Sequence, residues 1–577
     1  MIGSWVRQKF GRDFWVLAAI VVVMLVIFSR AFDIQILQHA FLSAEGNKRQ
    51  IRVLSIPAPR GIILDRNGKL LALSTSVVDV WADPQYFNRH LDRLPQVAKL
   101  LGISPESLRL KALAYQNKRF MYLKRQVLPQ VGEALEALDI PGVYVEERFK
   151  RYYPAGEVTA HLVGYTDIDD QGQDGIEYAY NDWLQGIAGK KQIIKDRAGR
   201  VIEFVKDVQP AKAGKPIQLS LDKDIQYFTY RTLKKALIEH QAQSAAAVVL
   251  DAKTGEVLAM ASLPSFNPND RSQLKGLALR NGVIGNVMEP GSVVKPFVIA
   301  KALDLGLIDL SSQIQTAPGY FKIEDHLIFD TRNHGQMTPA DIIKFSSNVG
   351  VAKVALQMSA EQIWRLYSQL GFAQDIGLFL PGESLGYLKT WQVWGKVDQV
   401  SASYGYGFNI NLLQLAQAYL LFANQGRLQP VSLFKKDSAE VEGEQLIRPD
   451  VVQAVLEMME AVTDRDGTAP KAAIKGYRVA GKTGTVHQTK KLERGYEKNE
   501  YRSLFVGLVP ASNPAFVMAV VVEKPSRGVY YGGLVAAPIF KEVMQEALRL
   551  RRVPYDAGTQ KRVSFQQPQP EAAVTKE

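Results

Sequence analysis

The feature that most constrains this chain lies close to its N-terminus. Residues 14–28 are an uninterrupted apolar run, and residues 29–32 can complete a membrane helix if Arg30 extends its charged end toward the interface. A secretory signal peptide is the alternative, because the run is short for a span. No small-x-small cleavage site follows it, so the sequence predicts an uncleaved transmembrane anchor over residues 14–32.

The charges beside this anchor predict its orientation. Arg7, Lys9 and Arg12 precede the apolar run, whereas Arg30 is the only basic residue after it until Lys48. Basic residues stay on the cytoplasmic side, so residues 1–13 form a cytoplasmic tail and the rest of the chain lies outside. No second apolar run reaches spanning length, which predicts a single-pass protein.

Composition narrows the functional classes. The chain has no cysteine, which excludes thiol catalysis, disulfides and Cys-ligated metal sites. The net charge of +12 favours anionic partners such as a membrane surface. No zinc finger, RNP-type aromatic signature or long Lys/Arg run is present, so a solvated basic surface explains the charge better than nucleic-acid binding does.

The sequence texture changes near Pro216. Residues 33–215 contain a strand–turn–strand pattern around Asn67 and Gly68. With Arg60-Gly61 and Asp65-Arg66, this pattern is typical of a salt-bridged surface hairpin and not of a catalytic site. From residue 216 to 555, strands at both ends with helices between predict an α+β domain with one antiparallel sheet. A polar tail over residues 556–577 is predicted to be disordered.

The first candidate motif is Ser-x-x-Lys at Ser292 and Lys295, where a Pro-Gly loop precedes a helical pattern. Residues three positions apart share one helix face, so a hydroxyl nucleophile and its base can meet there. Lys295 can act as a base only if burial or a neighbouring cation lowers its pKa. Taken alone, Ser292 as a helix N-cap and Lys295 as an exposed residue explain the pattern more simply.

The second candidate motif, Ser-Ser-Asn, opens a helical stretch that runs to about Met358. In a functional reading, Ser346 relays a proton and Asn348 donates to a substrate amide or to Lys295. The simpler alternative is again a helix N-cap.

The third candidate motif ends a strand that begins near Tyr477. It consists of Lys482, Thr483, Gly484 and Thr485. The glycine would let an extended peptide lie along an exposed strand edge, while the lysine and the threonine hydroxyls hold a carboxylate. A hairpin strand with an incidental lysine is the alternative.

The three motifs in this order are the signature of penicillin-recognising serine transferases, and the chain resembles the class B penicillin-binding proteins. The resemblance covers nearly the whole chain. Besides the anchor and the three motifs, it includes Arg60-Gly61, Asp65-Arg66-Asn67-Gly68, Tyr404-Gly405-Tyr406-Gly407 and Tyr530-Tyr531-Gly532-Gly533. Within the class, the segment 346–351 and the Tyr-Tyr-Gly-Gly stretch resemble the division-specific enzymes, since the elongation enzymes usually carry Ser-x-Asp with a cysteine between.

This resemblance implies an anchored protein with a mixed α/β pedestal over residues 33–215 and a transpeptidase domain over residues 216–555. The implied catalytic residues are Ser292, Lys295, Ser346 and Asn348. The implied residues for binding substrate or β-lactam are Lys482, Thr483, Gly484 and Thr485. Neither a metal nor a cofactor is implied.

The implied reaction is cross-linking of peptidoglycan. Ser292, deprotonated by Lys295, attacks the penultimate D-Ala carbonyl of a stem pentapeptide, and an amine of a neighbouring stem then takes the acyl group. Backbone N–H groups of Ser292 and Thr485 would form the oxyanion hole. The charge of Lys482 would help to depress the pKa of Lys295. No Glu-x-x-Leu-Asn element of class A β-lactamases is present, so β-lactams should act as lasting inhibitors.

Implied partners are stem pentapeptides on lipid-linked nascent strands, an FtsW-type glycan polymerase and other membrane proteins of the division complex. The implied location is the inner membrane of a Gram-negative bacterium, with the catalytic domain in the periplasm. Three alternatives stay open on sequence: a carboxypeptidase or elongation transpeptidase, a β-lactam sensor, and a catalytically idle scaffold. Sensors of this kind usually carry several spans and a His-Glu-x-x-His protease motif, which the chain lacks.

Overall fold

The computed structural model describes residues 11–195, 201–436, 443–489 and 496–558. Most of the predicted tails, residues 1–13 and 556–577, therefore lies outside the described residues. The described strands are β1 (Ile51–Ile56), β2 (Ile63–Leu64), β3 (Leu70–Ala82), β4 (Met121–Val127), β5 (Val143–Tyr152), β6 (Gly189–Lys195), β7 (Val201–Gln209), β8 (Ile217–Gln218), β9 (Ser244–Asp251), β10 (Val257–Leu263), β11 (Val287–Met288), β12 (Ile314–Gln315), β13 (Tyr320–Ile323), β14 (His326–Phe329), β15 (Gln336–Met337), β16 (Ile410–Asn411), β17 (Ala480–Thr489), β18 (Tyr496–Val509) and β19 (Phe516–Glu523).

The helices in the same part of the chain are α1 (Arg12–Phe32), α2 (His39–Gln50), α3 (Pro84–Phe87), α4 (Leu94–Leu101), α5 (Pro105–Ala114), α6 (Pro129–Glu136), α7 (Ala160–Val163), α8 (Gly175–Ala179), α9 (Asn181–Leu184), α10 (Lys223–Glu239), α11 (Lys295–Asp304), α12 (Pro339–Phe345), α13 (Asn348–Ala355), α14 (Ala360–Gln369), α15 (Lys396–Ser403), α16 (Leu412–Ala423), α17 (Pro449–Glu460) and α18 (Gly532–Leu550).

The chain forms two compact units, each assembled from segments that are distant in sequence. The first unit consists of Met1–Arg60, Thr75–Lys150 and Gly186–Gly214, and the second of Gly61–Ser74, Arg151–Gln185 and Lys215–Glu577. The sequence-based boundary between residues 215 and 216 follows the chain continuously. The compact units instead place residues 61–74 and 151–185 together with the residues that follow 215.

The N-terminal helix belongs to the first unit. Helix α1 continues through a π-helical turn, Asp33–Leu37, before α2 begins. Within the described residues, Arg12–Leu37 is the one helix long and apolar enough to cross a membrane, and none of it is buried in the protein. A helix that is apolar on all sides and uncovered by protein requires lipid around it. The helix therefore supports single-pass membrane anchoring.

The rest of the first unit packs helices on one face of a sheet. Strand β3 pairs antiparallel with β4 and also pairs with β5. Alternate residues of these strands, such as Val78, Val80, Met121 and Leu123, are buried with the apolar faces of α4, α5 and α6. The residues named on each strand are two positions apart, so they share the sheet face that these helices cover. A separate antiparallel sheet has the order β1-β6-β7.

The second unit is built on a five-stranded antiparallel sheet with the order β10-β9-β19-β18-β17. All eight residues of β19 are buried. The reason is that α10 and α18, which also contact each other, and α16 pack against the central strands. A strand covered on both faces reads as a continuous apolar run. The predicted α+β fold, with an antiparallel sheet flanked by helices, is confirmed.

The predicted surface hairpin near residue 65 is a correction to the sequence analysis. Asp65 is fully buried, and its carboxylate accepts the backbone N–H groups of Asn67 and Lys69 at 2.8 and 2.7 Å. Arg66 forms an ion pair with the buried Glu256 at 3.1 Å. The residue types fit an exposed turn, but contacts with residues almost 200 positions away in the same unit bury it.

Candidate active site

The Ser-x-x-Lys motif lies where a 3₁₀ turn, Gly291–Val294, passes directly into α11. Lys295 is the first residue of α11 and is fully buried, whereas Ser292 is partly exposed. Gly291 has a φ of +62°, and its N–H donates to the carbonyl of Gly405 at 3.0 Å. That left-handed conformation favours glycine and turns the chain sharply into the helix. Among the described residues, no hydrogen bond joins the hydroxyl of Ser292 to the amine of Lys295.

The Ser-Ser-Asn motif joins α12 to α13. Ser346 ends α12 in the left-handed conformation, with φ of +63°, and Ser347 caps α13 by accepting the N–H of Gly350 at 2.8 Å. A serine held at positive φ is uncommon and is a form of strain that clusters at functional sites. The local fold thus directs Ser346 away from the regular path of both helices.

The structure brings the first and second motifs together at the amine of Lys295. Its Nζ donates to the Ser346 carbonyl at 2.5 Å, to Ser346 Oγ at 3.2 Å and to Asn348 Oδ1 at 2.7 Å. Residues separated by about 50 positions in sequence therefore share one amine. The sequence predicts that Asn348 donates to Lys295; in the structure the direction is the reverse, because an ammonium group can only donate and Asn348 Oδ1 accepts.

The third motif lies on β17, the edge strand of the sheet. Lys482 Nζ donates to Ser346 Oγ at 2.9 Å, so the amines of Lys295 and Lys482 flank one hydroxyl group. Thr483 Oγ1 donates to Thr468 Oγ1 at 3.0 Å, and Thr485 Oγ1 accepts the N–H of Gly532 at 3.0 Å. Both threonine hydroxyls, expected to hold a carboxylate, thus have partners within the protein.

Gly484 has a packing reason for its identity. A Cβ at this position would lie 3.1 Å from Val293 Cγ1 and 3.3 Å from the Pro290 carbonyl oxygen. The glycine therefore lets the edge strand approach the turn that carries Ser292. The sequence predicts that this space serves a substrate peptide; the close neighbour in the structure is the turn that carries Ser292.

The two buried lysines have unusual electrostatics. Burial lowers the pKa of Lys295 to about 7, and the carboxylate of Asp330 offsets part of this shift. Burial, followed by the charge of Lys295, also lowers the pKa of Lys482 well below its ordinary value. The sequence predicts that the charge of Lys482 helps to lower the pKa of Lys295; in the structure, burial is the main cause of the lowered pKa. An amine with a pKa near 7 is a competent base at neutral pH.

Asp330, which belongs to none of the three motifs, holds the second motif in place. Its carboxylate accepts hydrogen bonds from Ser347 Oγ at 2.6 Å, from the Asn348 N–H at 2.5 Å and from the Val349 N–H at 3.1 Å. A carboxylate at this helix N-terminus fixes the backbone that carries Ser346 and Asn348. Asp330 lies in the loop after β14, where no motif spacing marks it, so the sequence alone does not predict its role.

Tyrosine rings stack beside the third motif. Tyr501 and Tyr530 lie 3.8 Å apart between ring centroids, and Tyr530 and Tyr531 lie 4.7 Å apart. Tyr531 is 52% exposed and immediately precedes Gly532, which bonds to Thr485. The stack therefore offers an aromatic wall near the strand edge. In the sequence, the Tyr-Tyr-Gly-Gly segment contributes to the family resemblance, but it does not by itself predict a role in the site.

A partly exposed serine, a buried low-pKa lysine and a hydroxyl between two amines are the elements of covalent acyl transfer. The fold and the site together define a serine acyltransferase. Its site lies at the edge of an antiparallel sheet.

Comparisons with known proteins agree with this class. Residues 245–545 match the family model of the penicillin binding protein transpeptidase domain, and residues 55–219 match that of the penicillin-binding protein dimerisation domain. The chain belongs to the class B penicillin-binding proteins.

Individual relatives are similar over most of their length. The probable peptidoglycan D,D-transpeptidase PbpC of Pseudomonas aeruginosa is 38% identical over 95% of this chain and 97% of its own. The peptidoglycan D,D-transpeptidase FtsI of Escherichia coli is 38% identical over 94% and 92%.

Two solved structures are also similar. The transpeptidase domain of Burkholderia pseudomallei penicillin-binding protein 3 matches with a TM-score of 0.54 and 38% identity, covering 59% of this chain and 97% of that one. A peptidoglycan synthetase from Bifidobacterium adolescentis matches with a TM-score of 0.68 and 25% identity, covering 88% and 98%. The longer match includes much of the region before Ser292.

Proposed function

We propose that this protein is a septal peptidoglycan D,D-transpeptidase that cross-links stem peptides through an acyl-enzyme on Ser292 and is inhibited by β-lactams. The observation that carries the proposal is the convergence of Lys295 and Lys482 on Ser346 Oγ, at 3.2 and 2.9 Å, beside the turn that holds Ser292. Relatives named peptidoglycan D,D-transpeptidase support the same reaction.

In the first half-reaction, Ser292 Oγ attacks the penultimate D-Ala carbonyl while Lys295 takes its proton. A pKa near 7 leaves about half of the Lys295 amines neutral at pH 7. The bond to the terminal D-Ala then breaks. Ser346 passes a proton to the leaving amine, because its hydroxyl is hydrogen-bonded to the amines of both lysines. Substrate must bring Ser292 and Lys295 into contact, since catalytic hydrogen bonds often tighten only in the complex.

The edge of β17 supplies the binding surface for the donor peptide. No other strand pairs with this edge among the described residues, so an extended peptide can add to it by backbone hydrogen bonds. We assign the oxyanion hole to the N–H groups of Ser292 and Thr485. Each such donor contributes roughly 3–4 kcal/mol to transition-state stabilisation. Lys482, Thr483, Gly484 and Thr485 shape this edge.

Septum formation is the finer part of the proposal, and the similarity to proteins named FtsI supports it. In this setting the N-terminal tail is cytoplasmic, the catalytic domain is periplasmic, and an FtsW-type glycan polymerase with other division proteins are the partners. The basic residues before the apolar helix support this orientation. Depletion should produce filamentous cells; round cells would instead assign the enzyme to elongation.

The test of the reaction is labelling of the full-length, detergent-solubilised protein with a fluorescent penicillin. Wild type should form a long-lived adduct, which mass spectrometry locates on Ser292, and Ser292→Ala should form none. Ser311→Ala, a change at an exposed serine outside the three motifs, is the matched control and should label like wild type. Absence of a wild-type adduct would favour the idle scaffold, and rapid loss of the adduct would contradict lasting inhibition.

A further inference from the structure

The second compact unit carries the three motifs and is the catalytic unit of the proposed enzyme. It contains a cavity that has no role in the reaction described so far. Its volume is about 320 Å³, and it opens at the end of the five-stranded sheet, where β9, β10, β17, β18 and β19 contribute to its lining. The polar side chains that matter for its chemistry are Arg280, Asn286, Gln488, Arg502, Glu523 and Lys524.

The cavity lies on the same face of the sheet as the nucleophile turn. Val486 on β17 faces this turn, since a Cβ on Gly291 would collide with its side chain. Val486 pairs directly with Arg502, and Arg502 pairs with Glu523 on the next strand. Directly opposed residues of antiparallel strands point to the same face, so these two lining residues share the face of the active site.

The distance from the active site suits a peptide. The rise of an antiparallel strand places Gln488 about 10 Å along β17 from Thr485 and about 20 Å from Lys482. An extended pentapeptide spans at most about 17 Å, so one end can lie in the cavity while the other reaches the nucleophile. Asn286, at the cavity wall, is also only a short loop away from Ser292 in sequence.

The charges of the lining favour an anion. Three basic side chains and one acidic side chain line the cavity. Both carboxylate oxygens of Glu523 already accept hydrogen bonds, from Arg502 Nε and from Gln488 Nε2, each at 2.6 Å. Arg502 uses only its Nε in this pair, so its terminal amino groups can bind a further carboxylate. Lys524 is compensated by Glu500, which lies outside the lining. The remaining positive charge is that of Arg280, whose guanidinium also donates to the Gly285 carbonyl.

We propose that this cavity binds a carboxylate of the second stem peptide, the acceptor whose amine completes the cross-link. The inference rests on the proposed function, because only a transpeptidase needs a second peptide. The acceptor nitrogen forms a new C–N bond with the acyl carbon as the C–O bond to Ser292 breaks. One amine proton returns to Ser292 Oγ, so that a neutral amide and the free serine result.

This assignment separates the two substrates in space. The donor stem occupies the groove between β17 and Ser346, where its carbonyl meets Ser292. An acceptor held by a carboxylate in the cavity reaches the same carbonyl from the other end of the edge strand. Binding there raises the local concentration of the amine over that of water and so favours cross-linking over hydrolysis of the acyl-enzyme.

The experiment uses the full-length protein in detergent with a thioester donor that ends in D-alanine. Two acceptors are compared: a short peptide whose amine and free carboxylate can lie about 10 Å apart, and the same peptide as its carboxamide. Arg280→Gln and Arg502→Gln remove cavity charge, and Arg365→Gln, which breaks an exposed ion pair with Glu361, is the control. Both cavity variants should raise the KM for the carboxylate acceptor about tenfold, as expected for a lost charge-assisted hydrogen bond.

The same variants should leave kcat, the carboxamide acceptor and the penicillin acylation rate close to wild type. An unchanged KM for the carboxylate acceptor, or an equal loss for both acceptors, would overturn the proposal. Arg280 is exposed, so its variant decides the question even if Arg502→Gln fails to fold. Absence of donor acylation in wild type would instead defeat the proposed function itself.

Discussion

Two regions of the catalytic unit bury charged side chains in opposite ways. Away from the cleft, Arg151 and Glu177 are buried as a pair of opposite charges: Arg151 Nε lies 2.6 Å from Glu177 Oε1, with the two side chains 1% and 0% exposed. In the cleft, two fully buried lysines approach the same hydroxyl. Asp330 is the anion that raises the pKa of Lys295.

The difference shows what each region contributes. An opposite-charge pair keeps both groups ionised, so it maintains the fold, and its loss leaves one charge uncompensated. Burial of two like amines instead favours their neutral forms. Between about pH 7 and 10.5, the unfolded chain holds a proton on Lys295 that the folded chain lacks, so the stability contribution of this group rises with pH. The cleft thus sacrifices stability at neutral pH for a reactive amine.

The largest effect should come from removing the base. Lys295→Met should slow penicillin acylation by roughly 10²–10⁴-fold, the range attributed to general acid–base catalysis. Its thermal unfolding midpoint should stay near that of wild type, because methionine fills a similar volume without a charge to desolvate. Stopped-flow acylation and calorimetry measure the two quantities. Full activity in this variant would remove Lys295 from the mechanism.

The opposite outcome is expected at the ion pair. Arg151→Leu should lower the free energy of unfolding by about 3–5 kcal/mol, because it leaves Glu177 buried and uncompensated. The acylation rate of the molecules that remain folded should be unchanged. The double variant Arg151→Leu/Glu177→Leu should recover much of the loss in a denaturant titration; no recovery would show that packing, not charge, dominates this site.

The pH profile sharpens the comparison through Asp330. In wild type, the acylation rate should rise with pH through a midpoint near 7 and then level off, as Lys295 loses its proton. Asp330→Asn removes a negative charge that raises this pKa, so the midpoint should fall. His334 also interacts with the charges of this carboxylate and of Arg332, and His334→Gln tests whether the titration of the imidazole contributes to the profile. A midpoint that rises in Asp330→Asn would contradict the assignment.

The smallest effect is expected at an exposed pair. Lys69 Nζ lies 2.6 Å from Asp224 Oδ2, but both side chains are almost half exposed. Lys69→Ala should change the free energy of unfolding by less than about 1 kcal/mol, because solvent and salt screen such pairs. A loss as large as that of Arg151→Leu would show that short distance, and not burial, sets the strength of these pairs.

Local patterns predicted much of the fold. In the sequence, Gly255 stands between two apolar runs, a pattern typical of a hairpin, and the structure shows this hairpin as β9 and β10 with a φ of +71° at the glycine. The helix after the Ser-Ser-Asn motif begins at Asn348 as expected. The helix after Ser292 is a partial exception, since a 3₁₀ turn carries the serine and α11 begins only at Lys295.

Other features depended on contacts that no local pattern encodes. The turn at Asp65 reads as a surface hairpin because Asp, Asn and Gly are turn residues, yet distant segments of the catalytic unit cover it. Asp330 lies in a loop with no motif spacing, and only the packing of α13 against that loop gives it three hydrogen bonds. Period and turn chemistry are short-range signals, so they cannot report such contacts.

The sequence by itself determined the anchor, the strand and helix types and the order of the three motifs, because these follow from residue size, periodicity and charge along the chain. Only the tertiary structure decided that Lys295 and Lys482 meet at Ser346 and that both amines are buried. A pKa near 7 is a property of the atoms that exclude water from an amine. Those atoms come from parts of the chain that only folding brings together.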